Sequence, residues 1–96
     1  MTNPPPQIEA EVTITNSQGL HVRPVFRFVE LAGRYQARVR VRKPGGNQEV
    51  DGKSAMEMML LNAPAGTQLK LVGEGEDAAE AIAALTRLIQ DKFYED

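Results

Sequence analysis

The amino-acid sequence predicts an α+β fold in which strands and helices follow the order βαββαβα. Segments that alternate apolar and polar residues have the period of a strand with one buried face. Segments in which apolar residues recur at helical spacing have the period of an amphipathic helix. Because polar side chains occupy one face of the strands, we expect a four-stranded antiparallel sheet that carries three helices on its other face. Such an arrangement is an open-faced β-sandwich.

The first half of the chain is predicted to hold a strand, a helix and a second strand. Residues 8–14 alternate, and the turn-forming residues 16–19 end that strand. Residues 22–32 then form a helix whose core-facing stripe is Val25, Phe28, Val29 and Ala32. Gly33 is suited to end this helix, and the alternation resumes over residues 35–42 as the second strand.

A turn and a short helix are expected in the middle of the chain. Residues 43–47 form the turn, and residues 48–51 return as a short strand. Ser54 followed by Glu57 has the form of a capping box, in which each side chain bonds the other residue's backbone N–H. A short helix should therefore begin at Ser54 and end near Leu61.

The last strand and the last helix complete the predicted order. Residues 68–72 supply the strand, with Leu69 and Leu71 on one face. Asp77, followed by Glu80, should open the helix. The buried stripe of that helix is Ala78, Ala81, Ile82, Leu85, Leu88 and Ile89.

The composition predicts one soluble domain, residues 8–96, after a short tail. Residues 1–7 contain three consecutive prolines, so we expect them to be flexible and extended. The net charge of −2 gives no general attraction to nucleic acid or to anionic membranes. With no cysteine and one histidine, neither a disulfide nor a metal site is expected. The chain shows no signal peptide and no apolar run of membrane-spanning length, which predicts a cytoplasmic protein.

The single histidine, His21, lies where the first turn meets the first helix, and we expect it at the N-cap. Helix N-termini offer unpaired N–H groups and partial positive charge, which favour a bound phosphoryl group. Neutral imidazole is a nucleophile, and Arg23 in the first turn can donate to a phosphoryl group. Pro24 fits the first turn and restricts the loop. Taken alone, the same residues also allow a histidine that only caps the helix and an arginine that is only solvated.

Three motifs occur in order along the chain: GLHVRP at 19–24, VDGKSAM at 50–56, and APAGT at 63–67 followed by GEGED at 73–77. Together they resemble the HPr family, the histidine phosphocarriers of the bacterial phosphotransferase system. The first resembles the active-site signature, the second the regulatory-serine region, and the third the last strand and helix entry. The resemblance extends from about residue 8 to about residue 93, and it implies the same open-faced β-sandwich.

The resemblance implies a phosphocarrier rather than a stand-alone enzyme. His21 would accept a phosphoryl group through Nδ1 from phosphorylated enzyme I, whose own donor is phosphoenolpyruvate, and would pass it to a IIA component. Arg23 would be the phosphate partner, and no cofactor or metal is implied. A monomer is the simple expectation. Both a sugar-uptake branch and a regulatory, nitrogen-linked branch remain open as recipients.

An apolar patch is expected near the histidine. Phe26 lies off the buried stripe of its helix and should face solvent. The residue before it, Val25, departs from the family pattern, in which alanine commonly follows the proline. By resemblance, the docking surface for partner proteins would surround His21 and consist of Phe26, Ala55, Met56 and Met59. Exposed methionines suit a surface that binds several partners. Alternatively, the second helix simply packs its methionines on all sides.

Ser54 matches the regulatory serine of the family, the target of an HPr kinase/phosphorylase. The residues alone explain Ser54 as a helix cap worth about 1 kcal/mol. An alternative function is a regulatory binding module that uses Ser54 and the apolar patch to engage a transcription factor or an enzyme. Members of that type lack the active histidine, so His21 disfavours it.

Two further features of the sequence do not indicate a ligand-binding site. A small ferredoxin-like ligand-binding domain would need a recognisable ligand loop, for which residues 73–75 are too weak a signal. Basic residues lie along the second predicted strand, and we interpret them as a solvated sheet face rather than a binding site. They are Arg34, Arg38, Arg40, Arg42 and Lys43.

Overall fold

The computed structural model describes residues 6–95. The elements follow the predicted order: β1 Gln7–Thr13, α1 Val22–Ala32, β2 Arg38–Arg42, β3 Glu49–Asp51, α2 Ala55–Leu60, β4 Gln68–Glu74 and α3 Ala78–Gln90. A short turn of 3-10 type, Lys92–Tyr94, follows α3. Most of the predicted flexible tail, residues 1–5, lies outside the described residues, so its flexibility stays a prediction.

The strands form one antiparallel sheet in the order β1-β4-β2-β3. The register places Val12 opposite Leu69 and Val41 opposite Leu71, so these apolar side chains share the face that the helices cover. All three helices contribute to that core, with Phe28, Met58 and Leu85 fully buried among others. Burial of one such side chain contributes about 1.5–3 kcal/mol. The predicted open-faced β-sandwich is confirmed.

The opposite face of the sheet carries charged side chains. Arg38 is exposed on β2, and its neighbour Arg40 places Nε 3.6 Å from Glu49 Oε1. Lys70 Nζ lies 2.9 Å from Glu9 Oε1 across the β1–β4 pair. The cations of β2 and β4 therefore alternate with carboxylates from the outer strands, which agrees with a solvated sheet face.

The start of β2 was predicted too early. The alternation suggested residue 35, but β2 begins at Arg38 because the preceding backbone is bonded to a side chain instead of a strand. Asp77 Oδ2 accepts a hydrogen bond from Gln36 N at 2.8 Å, and Asp77 Oδ1 accepts one from Ala37 N at 2.8 Å. These backbone N–H groups hold the pKa of the Asp77 carboxyl below its usual value, and the hydrogen bond from Gln36 N has the largest effect.

The same contacts change the role of Asp77. It occupies the N-cap position of α3 but makes no side-chain cap hydrogen bond, because its carboxylate is engaged by the loop before β2. Asp77 therefore ties the start of α3 to the segment that follows α1. The sequence placed this residue correctly at the helix start, but its carboxylate bonds the loop before β2 and not the first turn of the helix.

Strands β1 and β4 also differ slightly from prediction at their ends. β1 begins at Gln7, which the sequence placed in the tail, and Gln7 pairs with Glu74 at the end of β4. β4 continues to Glu74 because β2 pairs with it there, Arg38 opposite Glu74. The carbonyl of Pro6 accepts a further hydrogen bond from Gly75 N at 2.9 Å. The sheet and its hydrogen bonds therefore begin just before residue 8, where the sequence predicts the start of the domain.

The turn after α3 was not predicted. Lys92, Phe93 and Tyr94 have φ angles of 57°, 56° and 62°, so three consecutive residues other than glycine adopt the left-handed region. The Phe93 side chain is fully buried in the main core and anchors this segment. The chain reverses there and brings Glu95 back to the start of α1.

Candidate functional site

The loop before α1 is fixed by hydrogen bonds and by one glycine. Asn16 is fully buried, and its Nδ2 donates to the carbonyl of Gly19 at 2.8 Å. Leu20 N donates to Ala63 O at 2.8 Å, which ties the loop to the segment before β4. Gly19 has a φ of 69°, and a Cβ there would lie 2.6 Å from Ala63 O. Only glycine fits this position, and its backbone conformation directs the chain from the loop into the start of α1.

His21 stands at the N-cap of α1, as predicted. Its backbone is extended, with φ −99° and ψ −169°, and its carbonyl accepts from Val25 N at 3.1 Å. The imidazole makes no cap hydrogen bond, so the ring does not serve as the helix cap. The side chain is 34% exposed, which leaves the ring accessible from solvent. Pro24 is buried in the first turn, where its missing N–H removes no helix hydrogen bond.

A carboxylate joins the histidine to the arginine. His21 Nε2 lies 3.0 Å from Glu95 Oε1, and Arg23 Nε lies 3.7 Å from Glu95 Oε2. Arg23 is 73% exposed, whereas Glu95 is only 12% exposed. The predicted pair His21 and Arg23 is thus brought together through a third residue. No motif in the sequence points to Glu95, which stands 74 positions after the histidine.

These groups border an open polar depression on the surface. Arg27 lies one helical turn beyond Arg23 and lines it too, so two guanidinium groups face the same space as the imidazole. The complete lining is Ser17, Gln18, His21, Arg23, Arg27, Tyr94 and Glu95. Two arginines and a helix N-terminus suit a phosphoryl group, because guanidinium groups donate charge-assisted hydrogen bonds to its oxygens. Sequence reasoning missed Arg27, although its i, i+4 spacing from Arg23 places both on one helix face.

Neither a metal-binding cluster nor a membrane-spanning helix is present in the part of the chain that the structure describes. Within residues 6–95, no three side chains of the metal-binding kinds lie together. Over the same residues, no helix has the length and apolar character needed to cross a bilayer. An imidazole, two guanidinium groups and a carboxylate line the depression, together with the hydroxyl groups of Ser17 and Tyr94 and the amide of Gln18.

The apolar patch predicted on α1 and α2 is exposed. Phe26 is 60% exposed, Met56 80% and Met59 41%. Met58 and Leu61 are buried, so α2 packs on one side only, and the alternative of methionines packed all round is wrong. Ala55 is half-buried and packs against the core. The same two helices expose two further apolar side chains that the prediction did not include: Val22 and Leu60.

Ser54 is the N-cap of α2, as predicted. Its Oγ accepts a hydrogen bond from Glu57 N at 3.2 Å. Glu57 does not return the bond to Ser54 N, because its carboxylate accepts from Asp51 N at 3.0 Å. Only half of the predicted capping box is therefore present, and the Ser54 side chain is half-buried.

Comparisons with known proteins agree with this architecture. The family model for the HPr component of the phosphotransferase system, described as its phosphorylation site, matches residues 8–91. A phosphocarrier protein HPr of Pseudomonas aeruginosa is 51% identical over 87 residues, 88% of this chain and 93% of that protein. A crystal structure of HPr-C-His from Thermoanaerobacter tengcongensis has a TM-score of 0.87 at 40% identity and covers 93% of this chain and 98% of its own. An HPr dimer from that organism has a TM-score of 0.73 at 42% identity and covers 88% and 94%. The chain belongs to the HPr family, the phosphocarrier proteins of the phosphotransferase system.

Proposed function

We propose that His21 is the residue that carries the phosphoryl group. The observation that supports this most directly is an accessible imidazole at the N-terminus of α1, facing a depression that Arg23 and Arg27 also line. A phosphoryl group on the ring would accept hydrogen bonds from these guanidinium groups and from N–H groups in the first turn. Because most of this site is exposed, the stabilisation is modest, and a carrier that held the group tightly would not pass it on.

The proposed transfer needs only a ring nitrogen of His21 and a phosphoryl donor. The lone pair of that nitrogen attacks phosphorus and forms a P–N bond, while the bond from phosphorus to the donor breaks and its electron pair leaves with the donor. The reverse sequence delivers the group to an acceptor. The protein is in this account a covalent intermediate in a relay and not a stand-alone catalyst. Phosphorylated enzyme I is the proposed donor, and a IIA component is the proposed acceptor.

We propose that the apolar patch is the surface on which these partners dock. Phe26, Met56 and Met59 are exposed on α1 and α2, and these two helices contact each other. Methionine adapts its shape to different apolar surfaces, which suits a carrier that must bind a donor and an acceptor in turn. Membership of the family supports a cytoplasmic location. The ultimate phosphoryl donor in this proposal is phosphoenolpyruvate. We propose a monomer as the working form, because a docking surface shared in turn by two partners must be free between encounters.

A second proposal concerns Ser54 as a regulatory phosphorylation site. Ser54 precedes the exposed Met56 on the same short element, so a phosphate there would add roughly 1.5 to 2 negative charges beside the patch. Docking of an apolar partner would then have to desolvate that charge. A kinase of the HPr kinase/phosphorylase type would perform this step. The alternative role, a regulatory module that acts on a transcription factor or an enzyme, would use the same surface.

The test mixes the protein with phosphoenolpyruvate and enzyme I and measures bound phosphate. We expect one phosphate per chain, labile in acid and stable in base, and none in His21→Ala. Arg23→Ala should slow the labelling, whereas the matched variant Arg38→Ala, on the open sheet face, should not. Full labelling of His21→Ala would overturn the assignment.

A further inference from the structure

We propose that Glu95 is a positioning residue that holds the His21 ring in the tautomer with its lone pair on Nδ1 and that balances the charge of the phosphorylated ring. This inference rests on the proposed function of His21. The observation behind it is the contact between His21 Nε2 and Glu95 Oε1, which are 3.0 Å apart. No sequence motif predicts this contact.

The chemistry of the contact determines the tautomer. An ionised carboxylate only accepts hydrogen bonds, so a neutral imidazole in contact with it through Nε2 must carry its proton on that nitrogen. The other nitrogen, Nδ1, then bears the lone pair that attacks phosphorus. Glu95 therefore selects which ring nitrogen is nucleophilic, as the carboxylate does in a catalytic triad.

The same contact acts on charge. When Nδ1 of the Nε2-protonated ring forms a P–N bond, no proton has to leave, and the ring itself becomes cationic. The Glu95 carboxylate is hydrogen-bonded to that ring and lowers the energy of the cation. On delivery, the P–N electron pair returns to Nδ1, and the ring leaves as the neutral tautomer from which it began.

The position of Glu95 is built into the fold. Phe93 is fully buried, and the left-handed turn Lys92–Tyr94 folds the following residue back over the start of α1. Glu95 itself is only 12% exposed. Its Oε2 has no hydrogen-bond partner within residues 6–95, and the cation that faces it is Arg23 Nε at 3.7 Å. A buried carboxylate oxygen without a hydrogen bond is costly, so its burial beside the ring and the guanidinium needs a functional reason.

The test uses the fact that the chain has one histidine, which gives a single pair of ring nitrogen signals. In ¹H–¹⁵N spectra of the unphosphorylated protein, at a pH where the ring is neutral, we expect almost pure Nε2–H in the wild type. Glu95→Ala should raise the share of the Nδ1–H tautomer toward that of free imidazole. Glu95→Gln should keep the tautomer, because its amide oxygen still accepts, but should lose the charge. The matched control Glu76→Ala removes an exposed carboxylate elsewhere and should leave the spectrum unchanged.

Phosphotransfer kinetics test the charge effect separately. Glu95→Ala and Glu95→Gln should each lower the maximal rate of phosphorylation by about three- to fivefold, the range for a partly exposed ion pair. The KM for the donor protein should stay constant, since Glu95 is not part of the apolar patch. A tautomer share in Glu95→Ala equal to that of the wild type would overturn the proposal. The spectra require no phosphate, so they remain decisive even if phosphorylation of His21 is disproved.

Discussion

Replacement of Gly19 by alanine should unfold or distort the loop that presents His21. Two independent terms add at this position. The φ of 69° is unfavourable for alanine and costs about 1–2 kcal/mol. The new Cβ would also lie 2.6 Å from Ala63 O and 2.7 Å from Pro64 Cα, which are backbone atoms that cannot turn aside. Overpacking of this kind costs about 1–3 kcal/mol, so Gly19→Ala should lower the free energy of unfolding by about 2–5 kcal/mol.

Gly45→Ala is the matched control for this prediction. Its φ is 77°, close to that of Gly19, but a Cβ at Gly45 meets nothing within 4 Å. The control should therefore lose only the conformational term, about 1–2 kcal/mol. Urea unfolding followed by circular dichroism measures both variants, and phosphate labelling measures His21 in the same samples. Equal losses for the two variants would refute the claim that the contact of Gly19 with residues 63 and 64 holds the loop.

Three further predictions follow from the fold and the patch. Asp77→Asn should be less stable than the wild type at neutral pH, because the folded state lowers the pKa of the Asp77 carboxyl. The stability that this carboxylate contributes is fully present above its pKa of 3.8 in the unfolded chain, and it is lost as the pH falls through the lower pKa of the folded state. Urea unfolding from pH 7 downward should therefore show the two proteins converge in acid, and a constant gap would contradict the assigned contacts. Met56→Ser should raise the KM for enzyme I, while its free energy of unfolding should stay within about 0.5 kcal/mol of the wild type because the side chain is exposed. The control Gln68→Ala, on the open face of the sheet, should change neither quantity. Ser54→Ala should cost about 1 kcal/mol in urea unfolding through loss of the cap and should leave labelling of His21 intact, whereas loss of labelling would place Ser54 in the transfer step itself.

The sequence predicted those parts of the fold in which burial follows a simple period. Residues 22–32 were correctly assigned as α1, because the apolar stripe there coincides with the hydrogen-bonded helix. The start of β2 was missed for the opposite reason. Ala37 is buried in step with the strand pattern, yet its N–H bonds to the Asp77 carboxylate instead of a neighbouring strand. Alternation reports which side chains are buried and not which groups the backbone bonds.

The site was predictable only as far as its residues stand together in the sequence. His21 and Arg23 lie in one motif at a helix start, so their proximity follows from local structure. Glu95 reaches them through a turn of three left-handed residues that contains no glycine to signal it. The buried Phe93 that anchors this turn keeps the helical spacing of the α3 stripe after Ile89, but the helix itself ends at Gln90, so the spacing does not reveal the turn. Contacts made by such irregular segments require coordinates.

The most direct test of the account is the phosphorus–nitrogen coupling in the intact, ¹⁵N-labelled protein after phosphorylation by enzyme I and phosphoenolpyruvate. We predict one phosphorus signal coupled to Nδ1 of His21, with a proton retained on Nε2. Phosphorus bonded to Nε2, or to an oxygen of any other residue, would contradict it.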